Sequence, residues 1–496
     1  VNKVANAVKE MLVAIKSGPV QTHSRPGTVQ TKGRNATMKI LVLPVVFLLF
    51  LAGGYFLYSS VLSDDKNEPE KSVAVLAFAD MSPGKDQEWF SDGLSEEILN
   101  SLAHLRELKV AARTSSFYYK GKDVPLQEIA KTLGVANIVE GSVRRNGEQL
   151  RITAQLIRAS DGFHIWSGTY DRTADDVFQV QTEIAENIAR TLLKELGAET
   201  KSSLSSSRPA SLEAYEYYLK GTWTHLHRYW MGDTKYFNES ERFLLKSISL
   251  DPGYADAYGA LADLYDTRSL FPADQSIYRK KRDSLIQIGL KLDPNSPQII
   301  AVNGWSFLKR ARPNLDSAYY YFKKAYTLYP NTDYILGGIG GFYGTIGIRD
   351  AEIKYFKRAS ELDPLHVQAL ILLGNAYFMS GMYDDAKRHF EKAFELDQSN
   401  WGLHYVTGLM AANQGERDNF EKHLKILQTS QGIEETSGWE PLLKQLQALS
   451  FAMQGKKAEA LAQAPDDLPV LARLKMKKEF IVQLDSITSL SINWID

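Results

Sequence analysis

Hydrophobic positions recur in three different patterns along this chain of 496 residues. Residues 40–63 carry no charged side chain and are mostly apolar. Residues 72–200 combine short apolar or alternating runs with amphipathic segments, which predicts strands and helices in one α/β domain. From 211 to 470 the apolar positions follow a helical period, which predicts an all-α region. Residues 1–39 are predicted to be a cytoplasmic helix and linker at the end of a truncated upstream domain, and residues 471–496 a C-terminal tail.

A short phrase marks the ends of the units in the all-α region. Leu-Asp-Pro ends at Pro252, Pro294 and Pro364, and variants of it end at Pro330 and Gln398. Positions 330, 364 and 398 lie 34 residues apart, and each phrase follows a segment patterned as two helices. A period of this length is typical of stacked helix pairs that bury their apolar faces only against their neighbours.

The unit at 367–398 shows how such a pair would pack. Gly374 and Ala386 are small, so they allow the two helices to approach closely, while Tyr377 and Phe390 fill the space between pairs. This pattern resembles the tetratricopeptide repeat. We count four or five well-formed units from 211 to 398 and one or two weaker ones after them.

The resemblance implies a concave face, lined by the first helix of each pair, that binds a protein or peptide partner. By repeat position the candidate binding residues are acidic in one unit and amide or aromatic in another, which suits a peptide with a basic or polar stretch. The alternative is that they are ordinary solvated helix positions. The candidates are Asp256, Asp263, Asp266, Gln368, Asn375 and Phe378.

The α/β domain has a clear predicted order of elements. Asn146-Gly147 is a two-residue turn signal between two alternating runs, which predicts a hairpin. Asp92 or Ser95 is the expected N-cap of the first helix. We expect strands at 73–78, 108–111, 138–143, 150–157 and 163–170, and helices at 96–105, 125–133 and 177–196.

Several phrases in this domain are similar to a known family. They are SVAVLAFADMSPGKDQEWFSDGLSEEI, AARTSSFYYKGKD, LGVANIVEGSVRRNGEQLRITAQLI and HIWSGTYDR, in that order. They resemble the TolB-like amino-terminal domain. Ala77 stands where proline is commoner in the family. The resemblance implies a non-enzymatic domain on the periplasmic side of a bacterial inner membrane, between a membrane helix and tetratricopeptide repeats. It also implies a cytoplasmic cyclase, kinase or DNA-binding domain at the other end of such proteins.

The uncharged segment 40–63 fits a membrane span. At about 1.5 Å per residue it reaches about 36 Å, against a bilayer core of about 30 Å. Basic residues precede it and acidic residues follow it, which predicts a single-pass inner-membrane protein with a cytoplasmic N-terminus and residues 64–496 in the periplasm. A cleaved signal peptide that begins at Met38 is the alternative. The whole chain is then one transmembrane helix, an α/β domain with a mixed sheet, and an all-α repeat solenoid.

Charge and composition exclude several classes of function. The whole chain has a net charge of −1, which gives no general attraction to nucleic acid, and we expect residues 72–496 not to bind it. The chain has no cysteine, which excludes disulfides and thiolate chemistry. The crowded acidic residues near the first helix have no regular ligand spacing, so we expect no catalytic residue, metal site or cofactor. These acids are Asp80, Asp86, Glu88, Asp92, Glu96 and Glu97.

Two functions remain open on the sequence. In the first, the chain is the periplasmic sensing half of a transmembrane signalling protein, whose output domain would lie upstream of Val1. In the second, it is a stand-alone envelope adaptor that begins at Met38 or just before Val1. Both are non-enzymatic scaffolds that bind proteins.

Overall fold

A computed structural model describes residues 71–193, 209–228, 234–269, 275–310, 312–429 and 440–464. The segments predicted at 1–39, 40–63 and 471–496 lie outside these ranges. Within the ranges, no helix combines the length and the apolar character that a membrane span needs.

The α/β domain is built on a six-stranded mixed sheet in the order β3–β1–β4–β5–β6, with β2 also paired to β4. β1 runs parallel to β3 and β4, whereas β4, β5 and β6 are antiparallel neighbours. The mixed sheet predicted from the sequence is confirmed. The strands are β1 (Ser72–Val75), β2 (Ala79–Asp80), β3 (Lys109–Val110), β4 (Asn137–Asn146), β5 (Gln149–Arg158) and β6 (His164–Thr173).

Helices cover both faces of this sheet because successive residues of a strand point to opposite sides. Val73 and Val75 lie in the same buried cluster as the first and fourth helices. Ala74 packs in a second cluster with the third helix. The helices are α1 (Glu88–Ala103), α2 (Arg113–Phe117), α3 (Leu126–Leu133) and α4 (Val177–Leu193).

Two local predictions change in the structure. The β4–β5 hairpin is present, but Asn146 pairs with Gln149, so Gly147 and Glu148 form the turn. Gly147 has φ +57°, a value that glycine adopts at low cost. The predicted N-cap at Asp92 or Ser95 is wrong, because α1 already begins at Glu88. Tertiary partners satisfy these polar side chains inside the helix; the hydroxyl of Ser95 accepts a hydrogen bond from the backbone N–H of Phe78 at 2.9 Å.

The all-α region forms helix pairs, and seven pairs lie within the ranges given above. The first five pairs cover the units predicted up to residue 398, and two more follow them. The pairs are α5 (Leu212–Arg228) with α6 (Thr234–Leu250), α7 (Ala255–Arg268) with α8 (Gln275–Leu292), α9 (Pro297–Leu308) with α10 (Leu315–Leu328), α11 (Asp333–Thr345) with α12 (Arg349–Leu362), α13 (Val367–Met379) with α14 (Tyr383–Leu396), α15 (Trp401–Gln414) with α16 (Arg417–Thr429), and α17 (Glu440–Met453) with α18 (Lys457–Gln463). We number these pairs as hairpins one to seven.

Glycine permits the close packing inside three consecutive hairpins. In each of them a glycine of the first helix faces the ring of a phenylalanine on the second, and an added Cβ would overlap that ring. The shortest distances from such a Cβ are 2.8 Å for Gly304 and Phe322, 2.6 Å for Gly340 and Phe356, and 2.5 Å for Gly374 and Phe390. The predicted role of Gly374 as a small residue between helices is confirmed.

Candidate functional site

The α/β domain and the repeats share one hydrophobic core. Gly93 on α1 lies against Leu219 on α5, and a Cβ on Gly93 would lie 2.6 Å from Leu219 Cδ2. Tyr215 and Tyr254 of the repeats belong to the same buried cluster as the sheet residues. The missing side chain at Gly93 therefore allows α5 to approach α1, and the two domains belong to one compact unit.

Polar contacts reinforce the packing of α1 and β4 on α5. The indole Nε1 of Trp223 donates a hydrogen bond to Asp92 at 3.1 Å, and Lys120 of the α/β domain pairs with the same carboxylate at 2.7 Å. Asp92 is only 1% exposed, and these two partners offset the free-energy cost of burying its carboxylate. Arg145 on β4 pairs with Glu216 on α5 at 2.6 Å.

A second contact lies at the third Leu-Asp-Pro phrase, between hairpins four and five. The backbone N–H of Ala112 donates to the carbonyl of Leu362 at 2.8 Å, and that of Ser115 donates to the carboxylate of Asp363 at 2.9 Å. In return, the N–H of Leu365 donates to the hydroxyl of Ser115 at 2.8 Å. The carboxylate of Asp363 therefore binds a free N–H at the start of α2, where a helix leaves such donors unpaired.

A third contact involves the turn between hairpins three and four. The side-chain amide of Asn331 donates to the carbonyls of Arg106 and Leu108, at 3.0 and 3.3 Å. The ring of Tyr329 packs against His104, with centroids 4.7 Å apart. Two of the proline-containing turns that reveal the repeat in the sequence thus also hold the α/β domain.

A cavity of about 1060 Å³ lies between α1 and the first helices of hairpins one to four. Seven carboxyl side chains and four basic side chains line its walls. The carboxyl groups belong to Glu96, Glu97, Glu107, Asp256, Asp263, Asp293 and Asp333, and the basic groups to His104, Arg106, Arg113 and His225.

This crowding changes the protonation of Glu97. Burial, followed by the charges of Asp256 and Glu96, raises the pKa of Glu97 from its ordinary value of 4.5 to about 8. A carboxyl group whose folded-state pKa is raised binds more protons in the folded than in the unfolded chain. The stability of the protein then falls as the pH rises from 4.5 through 8.

Replacing Glu97 with glutamine is therefore expected to stabilise the protein at high pH. At pH 9 the variant should unfold with a free energy larger by about 1 kcal/mol or more, since each pKa unit corresponds to about 1.4 kcal/mol. The gain should shrink as the pH falls to 5. Urea unfolding at pH 5, 7 and 9 measures it, with the exposed Glu128→Gln as the control. A gain that does not change with pH would contradict the shifted pKa.

The three acidic candidates lie on α7, beside the cavity, but their surroundings differ. Asp256 and Asp263 line the cavity, and Asp263 accepts a hydrogen bond from Tyr334 at 3.4 Å. Asp266 is 3% exposed and is bound by Arg282 and Lys309, each at 2.7 Å. Burial would raise the pKa of Asp266, but these two cations hold it below its ordinary value. The structure thus gives Asp266 internal partners.

The other three candidates, Gln368, Asn375 and Phe378, lie together on α13 in hairpin five. All three are partly exposed, and Met379 beside them is 54% exposed. The ring of Phe378 lies 6.1 Å from that of Tyr383 on the second helix of the pair. This half of the predicted groove is separate from the cavity that α1 lines, and its binding role stays a prediction.

The acidic residues before and within α1 make structural contacts. Asp80 accepts hydrogen bonds from the backbone N–H groups of Ser82 and Gln87, at 2.8 and 2.9 Å, which fixes the loop before α1. Glu96 pairs with Arg113 at 2.9 Å. The sequence did not reveal these pairs, since a charge pattern shows the position of an acid but not its partner.

Comparison with known proteins agrees with the repeat. Residues 367–400 match the family "Tetratricopeptide repeat". Putative adenylate cyclase 3 from Rhizobium meliloti (strain 1021) is 36% identical over 191 residues, which are 38% of this chain and 32% of that protein. The chain thus spans about a third of the length of that curated relative.

Solved structures of low identity are similar to parts of the chain. PilF of Pseudomonas aeruginosa is 18% identical, with 45% of this chain and 96% of that chain covered and a TM-score of 0.34. The human IFIT1 dimer with PPP-AAAA is 17% identical, with 65% and 78% covered and a TM-score of 0.42. The matched repeat covers hairpin five, and the other described hairpins are helix pairs of the same kind, which supports a tetratricopeptide-type scaffold for protein interaction.

Proposed function

We propose that this chain is the sensing and scaffolding part of a membrane-anchored signalling protein, and that hairpins five to seven bind its protein partner. The observation that carries the proposal is that the two parts of the solenoid differ in what they contact. Hairpins one to four contact the α/β domain, through α5, the Asn331 turn and the Asp363 turn. Hairpin five presents Gln368, Asn375 and Phe378 on a partly exposed face.

The anchoring and the location are proposed on the sequence. The uncharged segment 40–63, with basic residues before it and acidic residues after it, supports a single span with residues 64–496 in the periplasm. The phrases similar to the TolB-like domain support the same arrangement.

The relative named as a putative adenylate cyclase supports an output domain of that kind in the same polypeptide. In this proposal residues 72–496 carry no catalysis. Binding of a partner to the solenoid changes the position of the α/β domain, and the anchor passes that change to the output domain. A stand-alone adaptor without an output domain is the alternative.

Site-specific cross-linking in intact cells tests the partner site. A photo-reactive residue at Met379, beside the predicted groove, is expected to capture one defined protein. The same residue at Tyr320, which is 60% exposed on the second helix of hairpin three, is the control and should not capture it. Asn375→Ala combined with Phe378→Ala should reduce the capture at Met379 at least about tenfold, the effect of losing about 1.4 kcal/mol of binding free energy.

Equal capture at both positions, or capture that the double variant leaves unchanged, would contradict a partner site on hairpin five. The compartment of the captured protein, identified by mass spectrometry, tests the proposed location. A periplasmic protein agrees with it, and a cytoplasmic protein contradicts it.

A further inference from the structure

We propose that Asp333, Asp363 and His366 form a binding site for a divalent transition-metal ion of the Zn²⁺ class, at the junction of the α/β domain with hairpin four. One ligand atom from each of these side chains lies within 4.8 Å of the other two. Asp333 begins α11, whereas Asp363 and His366 lie in the turn between α12 and α13. The proposal goes beyond the proposed function, since it needs neither a membrane anchor nor a partner.

The state of Asp363 is a second and independent reason for a ligand here. Its carboxyl group is fully buried, and the oxygen Oδ1 accepts the hydrogen bond from the backbone of Ser115. The other oxygen, Oδ2, is buried and has no partner with hydrogen-bond geometry. His366 can form an ion pair with this buried oxygen only when its imidazole is protonated; when the imidazole is neutral, a bound cation would offset the cost of burying the charge.

The position of His366 fits coordination. Its Nδ1 lies 3.1 Å from Oδ2 of Asp363, a distance that gives an ion pair only when the imidazole is protonated. Two ligand atoms that each lie about 2.0–2.2 Å from one metal ion are about 3 Å apart in octahedral geometry and about 3.4 Å apart in tetrahedral geometry. The unprotonated imidazole and the carboxylate are therefore already spaced as neighbouring ligands.

Asp333 supplies the third ligand and the route of entry. Its side chain lines the cavity of about 1060 Å³, so an ion can reach the site from there and a water molecule can complete its coordination. Two carboxylates that face each other in a partly buried site repel, and a divalent cation replaces this repulsion with attraction.

The ligand set indicates the class of ion. One imidazole with two carboxylates favours first-row transition metals over Mg²⁺ and Ca²⁺, which prefer oxygen ligands only. The sequence alone showed no metal motif, because Asp333 lies 30 positions before Asp363. A histidine three residues after the aspartate occurs in this Leu-Asp-Pro phrase, whereas Tyr254 and Ser296 take that place in the other two.

A metal at this site would strengthen the contact between the domains. The ion would bind one oxygen of Asp363 while Ser115 of the α/β domain binds the other. The ion and the Ser115 N–H would then hold the Asp363 carboxylate in one orientation, since hydrogen bonds to a metal ligand help to orient it.

Metal titration of the whole chain tests the proposal. After treatment with a chelator, the protein is titrated with Zn²⁺ alone, Mn²⁺ alone, Mg²⁺ alone and Ca²⁺ alone, by calorimetry and by thermal unfolding. We expect a Zn²⁺ site of one ion per chain and a rise of a few degrees in Tm at a concentration about 100 times Kd. Mg²⁺ and Ca²⁺ should not give this rise.

His366→Gln and Asp333→Asn should each weaken Zn²⁺ binding at this site at least about tenfold. Asp293→Asn, in the equivalent turn that has serine in place of histidine, is the matched control and should bind as the wild type does. A visible spectrum of bound Co²⁺ that changes with His366→Gln would confirm the imidazole ligand without depending on stability.

Each outcome decides the proposal. If the wild type binds no Zn²⁺, or if His366→Gln binds it with unchanged affinity and an unchanged Co²⁺ spectrum, the proposal is wrong. If Asp333→Asn fails to fold, as judged by circular dichroism, the decision rests on His366→Gln, which keeps a side chain of similar polarity.

Discussion

Replacing Asp266 with asparagine is expected to lower the free energy of unfolding by about 3 kcal/mol, because it leaves a buried cation without its counter-charge. The Arg282 side chain is only 2% exposed and donates to Asp266 Oδ1 at 2.7 Å. Its other carboxylate partner, Asp283, is 44% exposed and is better screened by water. Asparagine keeps the shape of the side chain, so the change isolates the loss of charge.

Urea unfolding of the whole chain measures this loss, and Asp263→Asn is the matched control. Asp263 lies one turn earlier on the same helix, where burial raises the pKa of its carboxyl group. Removing its charge is therefore expected to be neutral or stabilising. If both variants lose the same small amount of stability, Asp266 does not have the structural role that we assign to it.

The second large effect is expected at the contact between the domains. Gly93→Leu should destabilise the protein by about 3 kcal/mol, because a side chain there overlaps Leu219 in a packed core. Leu219→Ala provides space, so the double variant should lose less stability than the sum of the two single variants. Gly337→Leu is the control, since a Cβ on this helical glycine would contact nothing within 4 Å.

Equilibrium unfolding in urea of the wild type, the two single variants and the double variant measures this coupling. An additive double variant would contradict direct packing of Gly93 on Leu219. A destabilisation of Gly337→Leu as large as that of Gly93→Leu would show that glycine replacement in a helix, and not the domain contact, causes the effect.

The sequence predicted most of the elements, because they are encoded locally, but it missed β2, α2 and the first two turns of α1. The alternating runs at 138–143 and 150–157 fall within β4 and β5, and the 34-residue period gives the repeats. Positions whose role depends on distant residues were harder. Asp266 was assigned to an external groove, since helical periodicity shows which face a residue occupies and not what covers that face. Its partners Arg282 and Lys309 lie on later helices.

The Leu-Asp-Pro phrases show the same limit. Their spacing identified the repeat, and the sequence predicts only that they mark the ends of its units. Asp363 also binds Ser115, which lies 248 positions earlier in the chain. A single sequence gives no signal for a pair so far apart. The contact of this turn with the α/β domain depends on how that domain packs on the solenoid, which the spacing of the phrases does not encode.

Hydrogen exchange of the whole chain, followed by mass spectrometry, tests most directly whether the α/β domain and hairpins one to four act as one unit. We predict that the amides of α1, α5 and α12 open with the same free energy, and that Gly93→Leu lowers it in all three. Opening of α1 at a clearly lower free energy than α5 and α12, with the repeats unaffected by Gly93→Leu, would contradict this account.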